Sequence, residues 1–233
     1  MKMITKQQSD LSTISFEAGA EILIDKPKGL TSFSAVHRIR GAVKVKKVGH
    51  AGTLDPEATG LLIICTGKKT KEIFKYQDLD KTYTGIIKLG YTTKSMDAET
   101  TIEFKDDCST VNNPQIEEIR KSFIGATSQL PPMYSAIKHN GKALYKYARN
   151  GVEIERKLRE IVISKFDITK IEMPYIHFEI SCSKGTYIRV IADDFGEKLG
   201  CGGYLYQLRR TKIGDYSVED ALTLAEFQQL VIN

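Results

Sequence analysis

Gly49-His50-Ala51-Gly52-Thr53-Leu54-Asp55-Pro56-Glu57-Ala58-Thr59-Gly60 runs directly into Leu61-Leu62-Ile63-Ile64-Cys65, and this junction decides how the chain is read. Three glycines in twelve residues permit positive φ and close backbone approach, so the first part is a shaped loop rather than a regular element. The apolar run behind it has the length of a buried strand. Pro56 biases Asp55 toward extended backbone and away from any preceding helix. A carboxylate held on such a loop, just before a buried strand, is placed to act as a nucleophile. The competing reading makes Asp55 a helix N-cap with Pro56 at the first helical position. Local spacing alone favours that second reading.

Outward from the loop, the pattern is mixed α/β. Glu21 to Asp25 reads as a short strand, and Asp25-Lys26-Pro27-Lys28-Gly29 turns out of it. Thr31 or Ser32 caps a helix whose apolar positions Phe33, Val36, Ile39 and Val43 have helical spacing. Thr82 to Leu89 alternates, with Tyr83, Gly85, Ile87 and Leu89 on one face, which predicts a strand. Asn113 and Pro114 open a helix with Ile116, Ile119 and Phe123 inward and Gly125 past its end. Ile161 to Ile168 and Tyr175 to Ser183 read as strands. Gly185 leads into a helix carrying Ile188, Ile191, Phe195 and Leu199. Thr223 and Glu226 form a capping box for a final helix. The stretch Pro131 to Arg159 reads as a mobile basic insertion, and the polar first fifteen residues as frayed.

Composition bounds the function classes. The chain has 233 residues, 41% of them hydrophobic, and a net charge of +5, as in an ordinary globular protein of one large domain or one domain with an insertion. Cys65, Cys108, Cys182 and Cys201 are far apart and form no C-x-x-C pair, so they read as reduced cytosolic thiols. The four histidines, His37, His50, His139 and His177, sit at no metal-ligand spacing, and no apolar run approaches a membrane span. The positive charge is clustered. Lys26, Lys28, Arg38, Arg40, Lys44, Lys46 and Lys47 precede the glycine-rich loop with no acidic residue among them. Lys138, Lys142, Lys146, Arg149, Arg156, Lys157 and Arg159 are interleaved with Tyr134, His139, Tyr145 and Tyr147. Cations neutralise phosphates and aromatics stack on unpaired bases, a mixture that suits RNA better than duplex DNA. Either cluster alone would also serve as a solvated face.

Six separated segments then carry a resemblance: Asp25-Lys26-Pro27-Lys28-Gly29-Leu30-Thr31-Ser32, Gly49 to Leu62, Lys81-Thr82-Tyr83, Tyr134-Ser135-Ala136-Ile137-Lys138, Ser183-Lys184-Gly185-Thr186-Tyr187-Ile188-Arg189 and Leu208-Arg209-Arg210. In this order they closely resemble the TruB family of pseudouridine synthases, over about residues 21 to 230. The resemblance implies an α+β pseudouridine synthase fold: a mixed, mostly antiparallel central sheet flanked by helices, with a basic RNA-binding insertion at about 131–159. It implies a flexible segment 1–20 and a catalytic domain 21–233, without the C-terminal RNA-binding PUA domain that family members often carry. The implied activity is isomerisation of the uridine at position 55 of transfer RNA, in the TΨC loop, to pseudouridine. The implied enzyme is a cytoplasmic monomer that needs no cofactor or metal and touches no membrane.

Position by position, Asp55 resembles the family's catalytic aspartate, Tyr83 its active-site tyrosine and Arg189 the arginine that pairs with the aspartate. Tyr187 is similar to a substrate-contacting tyrosine, His50 to a histidine beside the extruded nucleotide, and Leu208 to an apolar contact to the base. Lys26 and Pro27 resemble a pair supporting the active-site loop, and Lys138 belongs to the RNA-binding insertion. Ala51 departs from the threonine found in many relatives, a small-for-small change expected to be tolerated. Taken singly, these residues have duller readings. Tyr83, Tyr187 and Leu208 would be core, Lys26 a solvated turn residue and His50 a turn hydrogen-bonder. Arg189 would be a surface partner of Asp193 at i, i+4. Two rival functions are a non-catalytic RNA chaperone on the same fold and the catalytic subunit of a guide-RNA-dependent synthase.

The chemistry asks for the same residue types. Making pseudouridine breaks the N1–C1′ bond, turns the base and rejoins it through C5, with no net change of atoms or electrons. It needs an anion, a group to move the C5 proton and a pocket for the detached base. An arginine beside the aspartate favours its charged form, and the target base must first be flipped out of its stack.

Overall fold

A computed structural model describes residues 3–8 and 10–232. The chain divides into two compact units, Met1–Thr84 with Leu208–Asn233, and Gly85–Gln207. In the first stretch β1 (Glu21–Lys26), α1 (Ser32–Val43), β2 (Val48–His50) and β3 (Thr59–Thr66) are followed by a short α2 (Phe74–Gln77) and by β4 (Lys81–Leu89). The middle of the chain forms β5 (Tyr91–Thr93), β6 (Ile102–Phe104), α3 (Asn113–Lys121), β7 (Gly125–Gln129), β8 (Lys138–His139), β9 (Lys142–Ala143) and α4 (Leu144–Ala148). It continues through β10 (Arg159–Glu172), β11 (Tyr175–Cys182) and α5 (Ile188–Lys198) into β12 (Gly203–Ile213). The chain closes with β13 (Tyr216–Ser217), β14 (Leu222–Thr223) and α6 (Leu224–Ile232).

In the first unit the strand order is β14-β1-β3-β12, with β2 added on β3 and β13 on β12. The β1–β3 and β2–β3 pairs are antiparallel, whereas β1–β14 and β3–β12 are parallel. In the second unit the order is β4-β11-β10-β7, and β10 is antiparallel to both its neighbours. The sheet is therefore mixed and mostly antiparallel, and the class is α+β. Strands β4 and β12 each begin in one unit and end in the other.

The unbroken apolar run of β3 follows from burial on both faces. Leu62 and Ile64 join Ile22, Ile24, Val36, Ile39 and Phe227 beneath α1 and α6. Leu61, Ile63 and Cys65 join Leu23, Tyr76 and Ile213 on the other side. The second unit is centred on an aromatic cluster, with Phe166 ringed by Phe123, Phe178 and Phe195 at 5.8–6.1 Å between centroids.

Most sequence boundaries hold within a few residues, and the exceptions have physical causes. Phe33 was placed inward by spacing but is 67% exposed; the buried stripe of α1 runs through Ser32, Ala35, Val36 and Ile39, and Phe33 lies about 100° round the helix from Ser32. Helix α3 opens at Asn113 and Pro114 as expected, capped by Asn112, which exchanges hydrogen bonds with Gln115 at 3.1 and 3.0 Å. The frayed N-terminus is not found among the described residues. Ile4 is fully buried, donating its N–H to Glu21 O at 2.8 Å and accepting from Leu23 N at 3.0 Å, and Leu11 packs into the same core as Ile22. The expectation for Met1, Lys2 and Ser9 lies outside the described residues. No helix among the described residues is long and apolar enough to cross a membrane.

Candidate active site

Asp55 sits half-buried on the irregular segment between β2 and β3 and caps no helix, since β3 starts at Thr59. The N-cap reading is therefore replaced by the shaped-loop one. Three buried side chains hold this segment through its backbone. Ser32 Oγ donates to Leu54 O (3.0 Å) and accepts from Leu54 N (2.8 Å). Lys26, with no exposed surface, donates through Nζ to Pro27 O (3.0 Å), Leu30 O (2.6 Å) and Pro56 O (3.3 Å). Arg210, also buried, donates through Nε to Leu61 O (2.8 Å) and through a terminal nitrogen to Gly52 O (3.1 Å). Gly29 N adds a bond to Pro56 O at 2.9 Å.

Gly60 shows why a glycine ends the motif. Its φ is +106° and a Cβ there would lie 2.2 Å from Arg210 O, so any side chain would break the β3–β12 contact. Ala51 is fully buried against the Leu61 and Ile63 side of the core, and its N–H bonds Ile63 O at 2.9 Å. Beside the loop, Arg209 grips Asp25 with two bonds of 3.0 and 2.7 Å, a fork-to-fork geometry that resists rotation.

Burial pushes the Lys26 ammonium down to about 8, against the pull of the Asp55 and Glu57 carboxylates. Lys26 is thus no solvated turn residue; it is a buried cation satisfied by carbonyls and electrostatically coupled to Asp55. His50 is half-buried at the end of β2, opposite Ile64, and burial lowers its pKa, so the ring is neutral at pH 7. Tyr83 is buried in β4 at 8% exposure, and Leu208 lies half-buried in β12.

The second unit holds Arg189, Tyr187 and Lys138. Arg189, in the first turn of α5, forms a 2.8 Å ion pair with Asp97, both side chains being almost fully buried. At 4% exposure it is not the surface residue of the duller reading. Its guanidinium also lies 5.7 Å from the Tyr187 ring centroid. Tyr187 is fixed by its backbone: Gln129, buried at the end of β7, accepts from Tyr187 N (2.8 Å) and donates to Tyr187 O (3.1 Å). Asp97 in turn is held in a polar turn, where Thr93 Oγ1 donates to its carbonyl (2.7 Å) and its Oδ1 accepts from Glu99 N (3.0 Å).

The insertion folds as a hairpin and a helix. Asn140 and Gly141, both at positive φ, connect β8 to β9, as a tight two-residue hairpin requires. Lys138 projects from β8 and is exposed, as are Lys142 and Lys146. Two of the tyrosines expected to meet bases are engaged by the insertion's own cations: Lys142 over Tyr147 at 4.6 Å and Arg149 over Tyr145 at 5.3 Å.

Two family models divide the sequence between them. The "TruB family pseudouridylate synthase (N terminal domain)" model matches residues 40–188, and the "tRNA pseudouridylate synthase B C-terminal domain" model matches 189–233. The chain belongs to the TruB family. Among TruB relatives, the tRNA pseudouridine synthase B of Chloroherpeton thalassium is 52% identical over 92% of this chain and 91% of its own length. That of Chlorobaculum tepidum is 51% identical over 93% and 92%. Among solved structures, a Cbf5-Nop10-Gar1 complex matches with TM-score 0.72 and 25% identity over 97% of this chain and 58% of that chain. An H/ACA RNP bound to a substrate RNA containing 2′-deoxyuridine matches with TM-score 0.68 and 25% identity over 92% and 53%. The TruB chain thus spans little more than half the length of those two solved chains.

Ser32 and Arg210 lie inside the quoted TruB-like segments, yet Ser32 was read only as a possible helix cap and Arg210 was given no role. Asp97 lies outside them and carried no local signal. Its partner is 92 residues away.

Proposed function

We propose that Asp55 is the nucleophilic carboxylate of a tRNA pseudouridine synthase that isomerises uridine 55 in the TΨC loop. Family membership and half-identity over nine-tenths of relatives named tRNA pseudouridine synthase B support the activity. The observation that carries the residue assignment is the loop itself. A half-buried carboxylate stands on irregular backbone whose flanking residues, Leu54 and Pro56, are both pinned by buried side chains. Such preorganisation is what a group needs to meet a flipped-out nucleoside at a defined angle.

In this reading Arg189 keeps Asp55 ionised and aims it, while Tyr83 packs against the base and takes part in moving the C5 proton. Tyr187 and Leu208 line the base-binding side, His50 supports the vacated RNA stack, Lys26 holds the loop and Lys138 meets phosphate. The glycosidic N1–C1′ bond breaks and a C5–C1′ bond forms; the C5 proton leaves and N1 gains one, so atoms and electrons balance without a redox partner. The RNA substrate is the TΨC stem-loop, and the protein acts on it as a monomer. A stand-alone enzyme is favoured over a guide-dependent subunit by the 52% identity across a relative of nearly the same length, against 25% identity to chains almost twice as long.

Asp55→Asn removes the charge and keeps the shape. It abolishes pseudouridine formation, read by mapping modified tRNA, while leaving tRNA affinity within a few-fold. A folded Asp55→Asn protein that still turns over substantially rules this assignment out.

A further inference from the structure

We propose that Ser32 is a positioning residue for the Asp55 carboxylate, acting through the backbone of Leu54. The proposal rests on the reading of Asp55 as the nucleophile and names what aims it. One hydroxyl both donates to Leu54 O at 3.0 Å and accepts from Leu54 N at 2.8 Å. Ser32 and Leu54 are 1% and 4% exposed, so no bulk water replaces those bonds. Leu54 O belongs to the peptide group that joins Leu54 to Asp55. Holding that oxygen fixes the plane from which Asp55 departs. On the other side Ala58 N donates to Asp55 O at 3.2 Å, and Lys26 and Gly29 hold Pro56 O. The aspartate is left with little freedom beyond its own side-chain torsions.

Ser32 is not needed for the helix it begins. The N-cap of α1 is Thr31, whose Oγ1 accepts from Ser34 N at 2.9 Å, and this is the bond that a cap supplies. Arg210 also holds the loop, but at Gly52 and Leu61, three and six residues from Asp55. Ser32 alone among these side chains grips the residue adjoining the aspartate on its N-terminal side. Without the hydroxyl, a buried N–H and C=O lose their partner and the peptide plane turns to find others. A displacement of about 1 Å in a reacting group slows a reaction by up to about a hundredfold.

The test compares Ser32→Ala, Ser32→Thr, Thr31→Ala and Asp55→Asn in the full chain. It measures single-turnover pseudouridine formation at saturating tRNA, tRNA Kd and Tm. Ser32→Ala slows the single turnover by about ten- to a hundredfold with Kd within about twofold of wild type, and Ser32→Thr restores most of the rate. Thr31→Ala lowers Tm and keeps the rate, because it removes the cap and not the clamp. A Ser32→Ala rate within about twofold of wild type overturns the proposal. So does a Thr31→Ala variant slowed as much for the same loss of Tm. Should Ser32→Ala not fold, Ser32→Cys carries the test, since a thiol is similar in size but a weak hydrogen-bonder: a slowed rate supports the proposal and a wild-type rate overturns it. An active Asp55→Asn sinks the nucleophile reading itself, whereas an inactive Asp55→Asn beside a fully active Ser32→Ala sinks only the positioning role.

Discussion

Arg189 illustrates what a single residue contributes beyond its charge. Its guanidinium reaches Asp97 at 2.8 Å and lies near the face of Tyr187, so its plane is fixed from two directions before any substrate arrives. Lysine keeps the charge but offers a compact point source without the fork. Arg189→Lys is therefore expected to lose about a hundredfold or more in single-turnover rate with tRNA affinity within a few-fold, measured by rapid-quench and filter binding. Near-normal turnover in that variant removes orientation from the role of Arg189. At this scale the sequence was legible where chemistry and motif coincide in one short string, as at Asp55. It was illegible where a residue acts through another's backbone. Ser32 reads as one more hydroxyl near a helix start, and Arg210 as one of two adjacent cations. Asp97 is separated from Arg189 by 92 residues, and nothing local marks either as the other's partner.

At the scale of elements, periodicity located α1, β4, α3 and α5, an unbroken apolar run located β3, and a capping box located α6; β10 and β11 were also read as strands. Periodicity missed β7 and the short hairpins, whose few residues leave no period to count, and the eleven-residue β12, whose burial does not alternate from residue to residue. The Asn140-Gly141 pair was nonetheless a readable hairpin signal. It turns the insertion into a small folded arm whose Lys138, Lys142 and Lys146 stand exposed on the hairpin and on α4. If those ammonium groups each neutralise a phosphate, replacing all three with alanine lowers the salt slope of tRNA binding by about 2–3. Affinity falls with it, and the rate at saturating RNA is largely kept. The measurement is Kd across a salt series, and an unchanged slope assigns the phosphate contacts to another element.

Across the whole molecule, the net charge of +5 coexists with a local excess of acid on α5. Burial, then repulsion from Asp194 and Glu197, pushes the Asp193 carboxyl up to about 6, while Lys105 partly opposes this; burial likewise raises Asp194. The sign for stability follows. The folded state holds the Asp193 proton more tightly than the unfolded chain, so stability falls as pH rises from about 4 to about 6, and the penalty is complete above that. Asp193→Asn removes the penalty: it is expected to raise Tm at pH 7.5 and to leave it nearly unchanged at pH 4. The gain is about 1–2 kcal/mol after allowance for solvent screening. Thermal melts at the two pH values check this, and an equal effect at both would place the cause in packing rather than titration. Lys26 works the other way: burial lowers its pKa to about 8, so the folded protein gives up that proton first while the unfolded chain keeps it to about pH 10.5, and stability rises with pH between the two.

The guanidinium that holds Leu61 O and Gly52 O comes from Arg210, 149 residues beyond Leu61. During synthesis at about 5–20 residues per second, roughly 7–30 s pass between the two. Throughout that interval the nascent chain already contains Asp55 yet lacks a side chain that shapes its loop. β12, the strand beside β3 in the first unit's order, is still unmade as well. Competence to modify RNA therefore waits on a residue made long after the aspartate, and a chain stalled before Arg210 displays Asp55 on a loop that Ser32 and Lys26 hold but Arg210 does not.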